Sequence, residues 1–587
     1  MKRRSTRFTL GLALSAGTLM SLSSVMAQTP SLVRDINTTV GIASPGSAPT
    51  QRSVEQGQAV LGGFVYFIGT DNASGGELFR TDGTAAGTTM VRDIFAGSGG
   101  SALSGLTVVG TQIFFSANDG FNGAELWVTD GTPSGTRMVR DINPGLTGTT
   151  LNVSTPTLIT AFPTLNGPRA IFWATTASNG NEPWISDGTF NGTFALGDLN
   201  PGTGGSTSAP FTFVDVTGNP QMIFAANFGT TAGVEPAIAS SGGAFQVTDL
   251  NPGAASSNPT NFVQLGTDGP VLFRATQTSP TNVGTELFGL NPTTNTTALV
   301  KDIQVGTGSG MSGTSSWLTR FGNRVYFAAN NGVDGVELWS TDGTDAGTVL
   351  FANINTTTPA ASSSSNPASL TVSGGRLFFT ATSGATAAVP SGVELYSTDG
   401  TTTALVRDIT PGATGTFAAN AQIAIIPGAA GEVFFGANDG TTGVELWKSD
   451  GTTPGTNRVA DLNPGTLQGF ATGTAPTTAL LARLPSGEVV FQGNEGTAGV
   501  GLELYKSNAA GTAVTLVKDI SKTTGSSFPR NAVAFNGRLA FSADNGAAAG
   551  TSGIIPPEGF RGRELYLSDG TEAGTRIVRD INPGGVA

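Results

Sequence analysis

The chain has 587 residues and contains neither cysteine nor histidine, which removes several chemistries at once. Without cysteine there is no thiol nucleophile, disulfide or thiolate metal site, and without histidine there is no imidazole base or ligand. The formal net charge of −12 also makes the chain a poor nucleic-acid binder, because that affinity comes mostly from neutralising phosphates. Any catalysis would therefore rest on Asp, Glu, Lys, Arg, Tyr or Ser.

Residues 1–27 have the pattern of a secretory signal peptide. Four basic residues precede a short apolar run over residues 10–20, and the tripeptide Val25-Met26-Ala27 fits a cleavage site. No later stretch approaches the roughly 18 apolar residues of a membrane-spanning helix. We therefore expect an exported protein, in the periplasm, on the cell surface or outside the cell, with no transmembrane segment after removal of the signal peptide.

One sequence unit recurs along the rest of the chain. In its second copy a Glu-Leu-Trp segment at Glu125 is followed by an Asp-Gly-Thr turn at Asp130 and a Val-Arg-Asp-Ile segment at Val139. Successive copies of the glutamate lie 48 to 61 residues apart, a period typical of propeller blades. The repeated glutamates are Glu77, Glu125, Glu182, Glu235, Glu286, Glu337, Glu394, Glu445, Glu503 and Glu564.

Each unit is predicted to form four short antiparallel strands, which we call A to D. In the second copy they fall near residues 105–109, 112–117, 125–129 and 137–142, where alternating apolar residues are separated by glycine-rich turns. A phenylalanine occupies the same place in strand B of every copy, with alanine or glycine two residues later on the same face. This pattern predicts an all-β propeller of about ten four-stranded blades and favours it over a β-solenoid, whose repeats are shorter.

The organisation of the array leaves two questions open. Residues 61–587 would form the ten-unit repeat region, either as one large ring or as two five-bladed rings divided near residues 304–316. The segment 28–60 contains an additional D-type strand over residues 31–37, although the last unit already has its own D strand.

The repeated phrase resembles that of the bacterial ELWxxDGT-repeat proteins. Residues 125–132 read ELWVTDGT and residues 445–452 read ELWKSDGT, and the phrase recurs with the same internal spacing over nearly all of residues 31–585. The resemblance implies a secreted or envelope-associated bacterial repeat protein with a propeller-like fold. It implies no established activity.

The turn aspartates are the candidate calcium ligands, since calcium binds clustered oxygens. Three copies carry Ser240, Asn291 or Asn508 instead, which can cap a turn through a side-chain oxygen but lack the charge. The sequence therefore favours a turn role over a metal role. The candidate aspartates are Asp82, Asp130, Asp187, Asp342, Asp399, Asp450 and Asp569.

The repeated glutamates are predicted to brace neighbouring strands. A group present in ten copies is poorly suited to be a unique catalytic acid, whereas a buried bracing contact is needed in every blade. Their expected partners are either backbone N–H groups or the basic residues of strand D. Those basic residues are Arg92, Arg140, Lys301, Arg407, Lys518 and Arg579.

Function is expected where the copies differ, on the face formed by the B–C and D–A connections. The most divergent connection is the insertion 544–563, and its Phe560, Arg561 and Arg563 are candidates for partner contact. Trp173 is a candidate exposed platform, because it lies beside core Phe172 and so points to the opposite face of its strand.

The sequence favours a non-catalytic interaction or structural scaffold of the bacterial envelope or extracellular space, without a cofactor. Its expected partner is an envelope protein or a polysaccharide. Two alternatives stay open. One is a polysaccharide-acting enzyme that uses paired carboxylates, and the other is a calcium-stabilised adhesin.

Overall fold

The computed structural model describes most of residues 58–579. The predicted signal peptide, the D-type strand 31–37, Phe560 and Arg561 lie outside the described residues. Besides residues 1–57 and 580–587, the residues left out are 72, 207, 241–244, 314–316, 357–362, 385–391, 412–414, 418–423, 429, 466, 471–480, 497–499, 522–524 and 545–562.

The described chain is all-β and forms ten antiparallel four-stranded sheets, each in the order A-B-C-D. The strands of blades 1 to 5, with a short hairpin β9–β10 after blade 2, are β1 (Gln58–Leu61), β2 (Phe64–Asp71), β3 (Gly75–Thr81), β4 (Thr89–Arg92), β5 (Ser104–Val109), β6 (Gln112–Asn118), β7 (Ala124–Thr129), β8 (Arg137–Arg140), β9 (Leu146–Thr147), β10 (Thr150–Leu151), β11 (Thr157–Phe162), β12 (Arg169–Thr176), β13 (Gly180–Ser186), β14 (Phe194–Ala195), β15 (Phe211–Val214), β16 (Pro220–Asn227), β17 (Val234–Ser240), β18 (Phe245–Val247), β19 (Thr260–Gln264), β20 (Val271–Gln277), β21 (Gly284–Asn291) and β22 (Thr296–Lys301). The strands of blades 6 to 10 are β23 (Thr319–Phe321), β24 (Arg324–Asn330), β25 (Val336–Thr341), β26 (Val349–Ala352), β27 (Ala368–Ser373), β28 (Arg376–Thr382), β29 (Val393–Thr398), β30 (Thr403–Arg407), β31 (Ile425–Pro427), β32 (Val433–Asn438), β33 (Val444–Ser449), β34 (Asn457–Arg458), β35 (Leu481–Arg483), β36 (Val489–Gly493), β37 (Glu503–Ser507), β38 (Val514–Lys518), β39 (Arg530–Phe535), β40 (Arg538–Asp544), β41 (Arg563–Ser568) and β42 (Arg576–Ile577).

The four strands predicted for the second copy are confirmed as β5 to β8. Strand B pairs with strand C so that Phe115 lies opposite Trp127 and Ala117 opposite Glu125. The ring of strand B and the ring of strand C therefore share one face of the blade, and the small residue leaves room beside the glutamate. None of the described residues forms a helix that is long and apolar enough to cross a membrane.

The hydrophobic core lies between the blades. Ten clusters of buried side chains occur in the described residues, and each combines residues of two neighbouring blades. The first cluster, for example, packs Tyr66 and Leu78 of blade 1 against Phe115 and Trp127 of blade 2. The A strands of neighbouring blades also contact one another: β1 contacts β5, and β5 contacts β11. The A strands therefore lie nearest the centre of the ring.

The blades form one closed ring of ten. One cluster packs Phe67 and Phe79 of blade 1 against Ala540 and Leu565 of blade 10. This packing joins the two ends of the array. Another cluster joins Leu287 of blade 5 to blade 6 across the segment 304–316. The alternative of two five-bladed rings is therefore wrong, because the same face-to-face packing continues through its proposed boundary.

Candidate functional site

The repeated glutamate fastens three segments of the chain together. Glu125 is fully buried on strand C. Its Oε2 accepts a hydrogen bond from the Ile142 N–H at 2.8 Å, at the end of strand D of the same blade. Its Oε1 accepts one from the Ser154 N–H at 3.0 Å, and Oε2 accepts a second from the Ser154 hydroxyl at 2.6 Å, in the connection to blade 3. The carboxyl group thus holds the chain where it leaves one blade for the next.

The same arrangement recurs around the ring. In blades 1 to 9 the glutamate accepts a hydrogen bond from the equivalent N–H at the end of strand D, and those donors are Ile94, Ile142, Leu199, Leu250, Ile303, Ile354, Ile409, Leu462 and Ile520. The connection between blades 2 and 3 also contacts the following blade. The Ser154 carbonyl accepts a hydrogen bond of 2.8 Å from the Thr175 N–H on strand B of blade 3. Glu125 is therefore part of a series of hydrogen bonds that links blade 2 to blade 3.

The basic residues of strand D do not pair with these glutamates. Arg140 donates to the Thr193 carbonyl of the next blade at 2.8 Å, and its guanidinium lies 5.8 Å from the ring of Trp184 in that blade. Of the two expected partners for the glutamate, the backbone N–H groups are therefore the ones found. The basic residues instead bind the following blade, and the donors are Arg92, Arg140, Lys301, Arg407, Lys518 and, across the ring closure to the carbonyl of Thr88, Arg579.

Burial raises the pKa of the repeated glutamates. For six of them the pKa rises from 4.5 to about 7, and in each case the loss of solvation is the largest cause, partly offset by the hydrogen bonds that the carboxyl group accepts. The six are Glu125, Glu182, Glu286, Glu394, Glu445 and Glu503. A pKa near neutrality suits a general acid. These carboxyl groups, however, are buried and bonded to their own backbone rather than open to a substrate.

The turn aspartates close a hydrogen-bonded loop. Asp130 Oδ1 accepts from the Thr132 N–H at 2.8 Å and from the Thr132 hydroxyl at 2.7 Å, and these bonds lower the pKa of Asp130. Gly131 between them has a φ of +90°, and a Cβ there would lie 1.9 Å from the Tyr66 hydroxyl of the preceding blade. Glycine is thus required both by the backbone and by the neighbouring blade.

Two of the three neutral copies also cap their turn with a side-chain oxygen, which accepts from the residue two positions ahead at Asn291 and four positions ahead at Asn508. Asn291 Oδ1 accepts from the Thr293 N–H at 2.8 Å, and Asn508 Oδ1 accepts from the Thr512 N–H at 2.8 Å. A side-chain oxygen therefore caps the turn in both charged and neutral copies. In the part of the chain that the structure describes, no three Asp or Glu side chains are grouped closely enough to hold a metal ion.

Trp173 is not an exposed platform, and that prediction is wrong. Its side chain is fully buried in the cluster between blades 3 and 4, where its ring meets Phe224 edge-on at 5.5 Å. Its Nε1 donates to the Ser206 carbonyl. The two sides of a strand are both covered in a propeller, because each blade packs between two others. Pointing away from Phe172 therefore means pointing into the next junction.

Of the three residues singled out in the insertion, only Arg563 is described. It begins strand C of blade 10 and donates from Nη1 to the Phe528 carbonyl at 3.1 Å, in the connection that leads into that blade. Burial lowers its pKa. Arg563 thus stabilises the base of the insertion, and this contact says nothing of a partner.

The face that carries the B–C and D–A connections exposes apolar side chains. Phe121 and Val333 project from B–C connections, and Val305 and Leu467 project from D–A connections. Asparagine side chains link the two kinds of connection, as where Asn143 Oδ1 accepts from the Ala177 N–H at 3.1 Å. Sequence reasoning identified this face but none of these four residues, since a single apolar residue in a loop gives no pattern. Acidic residues on the same face include Asp93, Asp119, Asp141, Asp334, Asp439 and Asp461.

A cavity of 480 Å³ lies between blades 5 and 6 at the opposite end of the strands. It is lined by Pro270, Asn291, Leu299 and Asp345, and it opens where the C–D turn of blade 5 lacks the Asp-Gly-Thr sequence. Asp345 is ion-paired with Lys301 at 3.0 Å. The carboxylate is therefore engaged in a contact between these two blades.

No family model matches the chain, and no curated protein matches it. Among solved structures, it is similar to a mutant puromycin hydrolase complexed with PGG, at 12% identity and a TM-score of 0.28, over 66% of this chain and 58% of that one. It is also similar to a prolyl endopeptidase, at 10% identity and a TM-score of 0.29, over 72% of this chain and 61% of that one. A third is Porphyromonas gingivalis dipeptidyl peptidase 4, at 9% identity and a TM-score of 0.34, over 76% and 65%. The chain thus spans about three fifths of the first two proteins, and similarity at this level carries no argument about activity.

Proposed function

We propose that this protein is a non-catalytic scaffold of the bacterial envelope or extracellular space, which binds a partner through the face of the B–C and D–A connections. One observation carries the proposal: the repeated carboxyl groups are engaged in contacts that build the ring. The glutamates accept hydrogen bonds from the backbone at the blade junctions, and the turn aspartates cap their own turns.

The signal peptide predicted over residues 1–27 and the resemblance to the ELWxxDGT-repeat proteins support the proposed location. The expected partner is an envelope protein or a polysaccharide. The B–C and D–A connections differ most between the copies, which favours the face that they form, the variable face, as the surface for it. Its exposed apolar side chains can be buried by a partner without disturbing the ring.

The experiment measures how much of the purified full-length chain sediments with the isolated envelope of the producing bacterium. The double variant Phe121→Asp, Val333→Asp changes two exposed side chains of the variable face. The double variant Leu165→Asp, Val216→Asp is the matched control, because Leu165 is as exposed as Phe121, at 77%, and both control residues lie in A–B turns at the other end of the strands.

We expect the first variant to lose envelope binding and the control to keep it, with both retaining the thermal unfolding midpoint of the parent. Equal binding by the two variants, or no binding by the parent chain, would contradict the proposed surface. Turnover of an envelope polysaccharide that a single Asp or Glu substitution abolishes would contradict the non-catalytic role and favour the carboxylate enzyme.

A further inference from the structure

The hydroxyl group that donates to the buried glutamate has a second acceptor. Ser154 Oγ lies 2.6 Å from Glu125 Oε2 and 3.3 Å from the Ala124 carbonyl oxygen. When Glu125 is ionised, the hydroxyl hydrogen points to the carboxylate. When Glu125 is protonated, the carboxyl hydrogen can point to Ser154 Oγ and the serine can donate to the carbonyl instead. Both protonation states therefore keep the junction bonded.

This pair of acceptors recurs in five blades. The distances from the serine hydroxyl are 2.6 to 2.9 Å to the glutamate and 3.2 to 3.3 Å to the carbonyl of the residue before it. The five pairs are Glu77 with Ser101, Glu125 with Ser154, Glu235 with Ser257, Glu337 with Ser365 and Glu503 with Ser527.

The charged groups that face these glutamates are acidic. Asp141 at the end of strand D acts on Glu125, and Asp119 of the B–C connection acts on Asp141 in turn. Tyr396 of blade 7 lies near Glu337, and Tyr505 lies near Glu503. None of these five glutamates forms an ion pair with a described lysine or arginine. Aspartates at the position of Asp141 raise the pKa of three others: Asp93 that of Glu77, Asp249 that of Glu235 and Asp519 that of Glu503.

Blade 6 differs from the other four in one respect. It carries Asn353 where they carry aspartate, and Asn353 Nδ2 donates to Asp334 Oδ1 of the B–C connection at 3.0 Å. Glu337 thus has the same hydroxyl partner and the same backbone donors as Glu125 but lacks the neighbouring carboxylate. The two blades provide a comparison within one molecule.

We propose that these junctions are proton-binding sites. The buried glutamate takes up a proton and then donates a hydrogen bond to its serine. The folded ring is therefore more stable against unfolding in a mildly acidic medium than in an alkaline one. The proposal goes beyond the scaffold function and does not depend on it. Two features of the geometry carry it: the serine hydroxyl has two acceptors, and the glutamates are fully buried without an ion pair within 4.0 Å among the described residues.

The raised pKa of Glu125 sets the direction and the window. Folding raises this pKa from 4.5 to about 7, so the folded ring binds more protons than the unfolded chain between these values. The stability contributed by the group is complete below pH 4.5 and is lost as the pH rises through about 7. This is the opposite of the usual carboxylate, which loses its stabilising contacts as the pH falls.

The test follows the carboxyl carbon of each glutamate by NMR in the full chain labelled with ¹³C at that carbon. The variants are Asp141→Asn and Asn353→Asp, which exchange two residues that the ring already uses at this position, and both are therefore expected to fold. In the parent chain Glu125 should titrate near pH 7. Asp141→Asn should lower that midpoint, and Asn353→Asp should raise the midpoint of Glu337.

Urea unfolding provides the second readout. The midpoint concentration of urea should fall between pH 5 and pH 8 for the parent chain. The proposal is overturned if Glu125 titrates near 4.5 in the folded ring, if the two substitutions leave both midpoints unchanged, or if the urea midpoint rises over this range.

Discussion

Replacing Glu125 by glutamine tests the bracing role most sharply, because the substitution preserves shape and removes only an acceptor. The carboxyl group accepts from the Ile142 N–H through one oxygen and from the Ser154 N–H through the other. A glutamine has one oxygen, so its amide N–H₂ must face one of these donors. The amide N–H and the backbone N–H that it faces are then both buried without an acceptor. At about 1–3 kcal/mol for each unsatisfied donor, the free energy of unfolding should fall by about 2–6 kcal/mol.

Asp130→Asn in the same blade is the matched control. It also replaces a repeated carboxyl group by its isosteric amide, but the amide oxygen can still accept from the Thr132 N–H, as Asn291 does natively from the Thr293 N–H. Its expected cost is below about 1 kcal/mol, the net value of an ordinary hydrogen bond. Urea unfolding at pH 5, where the raised pKa keeps Glu125 uncharged in the folded ring, measures both values, so that relief of a buried charge does not offset the lost acceptor. The bracing role is refuted if Glu125→Gln costs no more than Asp130→Asn.

Three further results are expected. Arg579→Ala should speed hydrogen exchange in blades 1 and 10, and Arg140→Ala should do so in blades 2 and 3. Each arginine donates to a carbonyl of the following blade, and losing that bond should cost about 1.5–3 kcal/mol of stability at the junction. Faster exchange throughout the ring would argue against local junctions. Trp173→Ala should lower the free energy of unfolding by about 3–5 kcal/mol and leave envelope binding intact in the folded fraction, since the ring is buried; lost binding would restore Trp173 as a contact residue. The thermal midpoint should be equal in calcium and in chelator, since threonine already occupies the turn aspartates; a rise with calcium would favour the adhesin alternative.

The blade and its repeat could be predicted from sequence because they depend on local patterns. Alternation, the turn glycines and the period placed the four strands of blade 2 within a few residues of β5 to β8. Phe115 was predicted to share a face with a small residue two positions later, and the register places Ala117 opposite Glu125 as that spacing requires. These features are written into a few consecutive residues.

What lies on the far side of each strand could not be predicted in the same way. Trp173 was assigned to an exposed face because alternation distinguishes two sides of a strand but not what covers them. Burial on both sides follows only when the blades are stacked. The number of rings was left open for a similar reason, since the packing of Val65 against Leu567 joins residues about 500 positions apart.

The hydrogen-bond donors to the repeated glutamates show most clearly what local sequence patterns cannot predict. The sequence left the basic residues of strand D and backbone N–H groups open as alternative partners, and nothing local separates them. The choice follows from where strand D ends, which brings the Ile142 N–H to Glu125 and carries Arg140 on to the next blade. Backbone donors leave no pattern in a sequence, whereas the hydroxyl at Ser154 does. In five blades a serine recurs 9 to 14 residues after the end of strand D, and that recurrence was the available signal.

Ten copies of one unit close into a single ring, and blade 10 packs against blade 1 as other neighbouring blades pack. Electron microscopy of the purified chain, with class averages viewed down the ring axis, tests it most directly because it counts the blades. We expect one closed ring with ten blades of similar spacing, including the junction between blade 10 and blade 1. Two separate five-bladed rings, or an open arc with a gap at that junction, would contradict it.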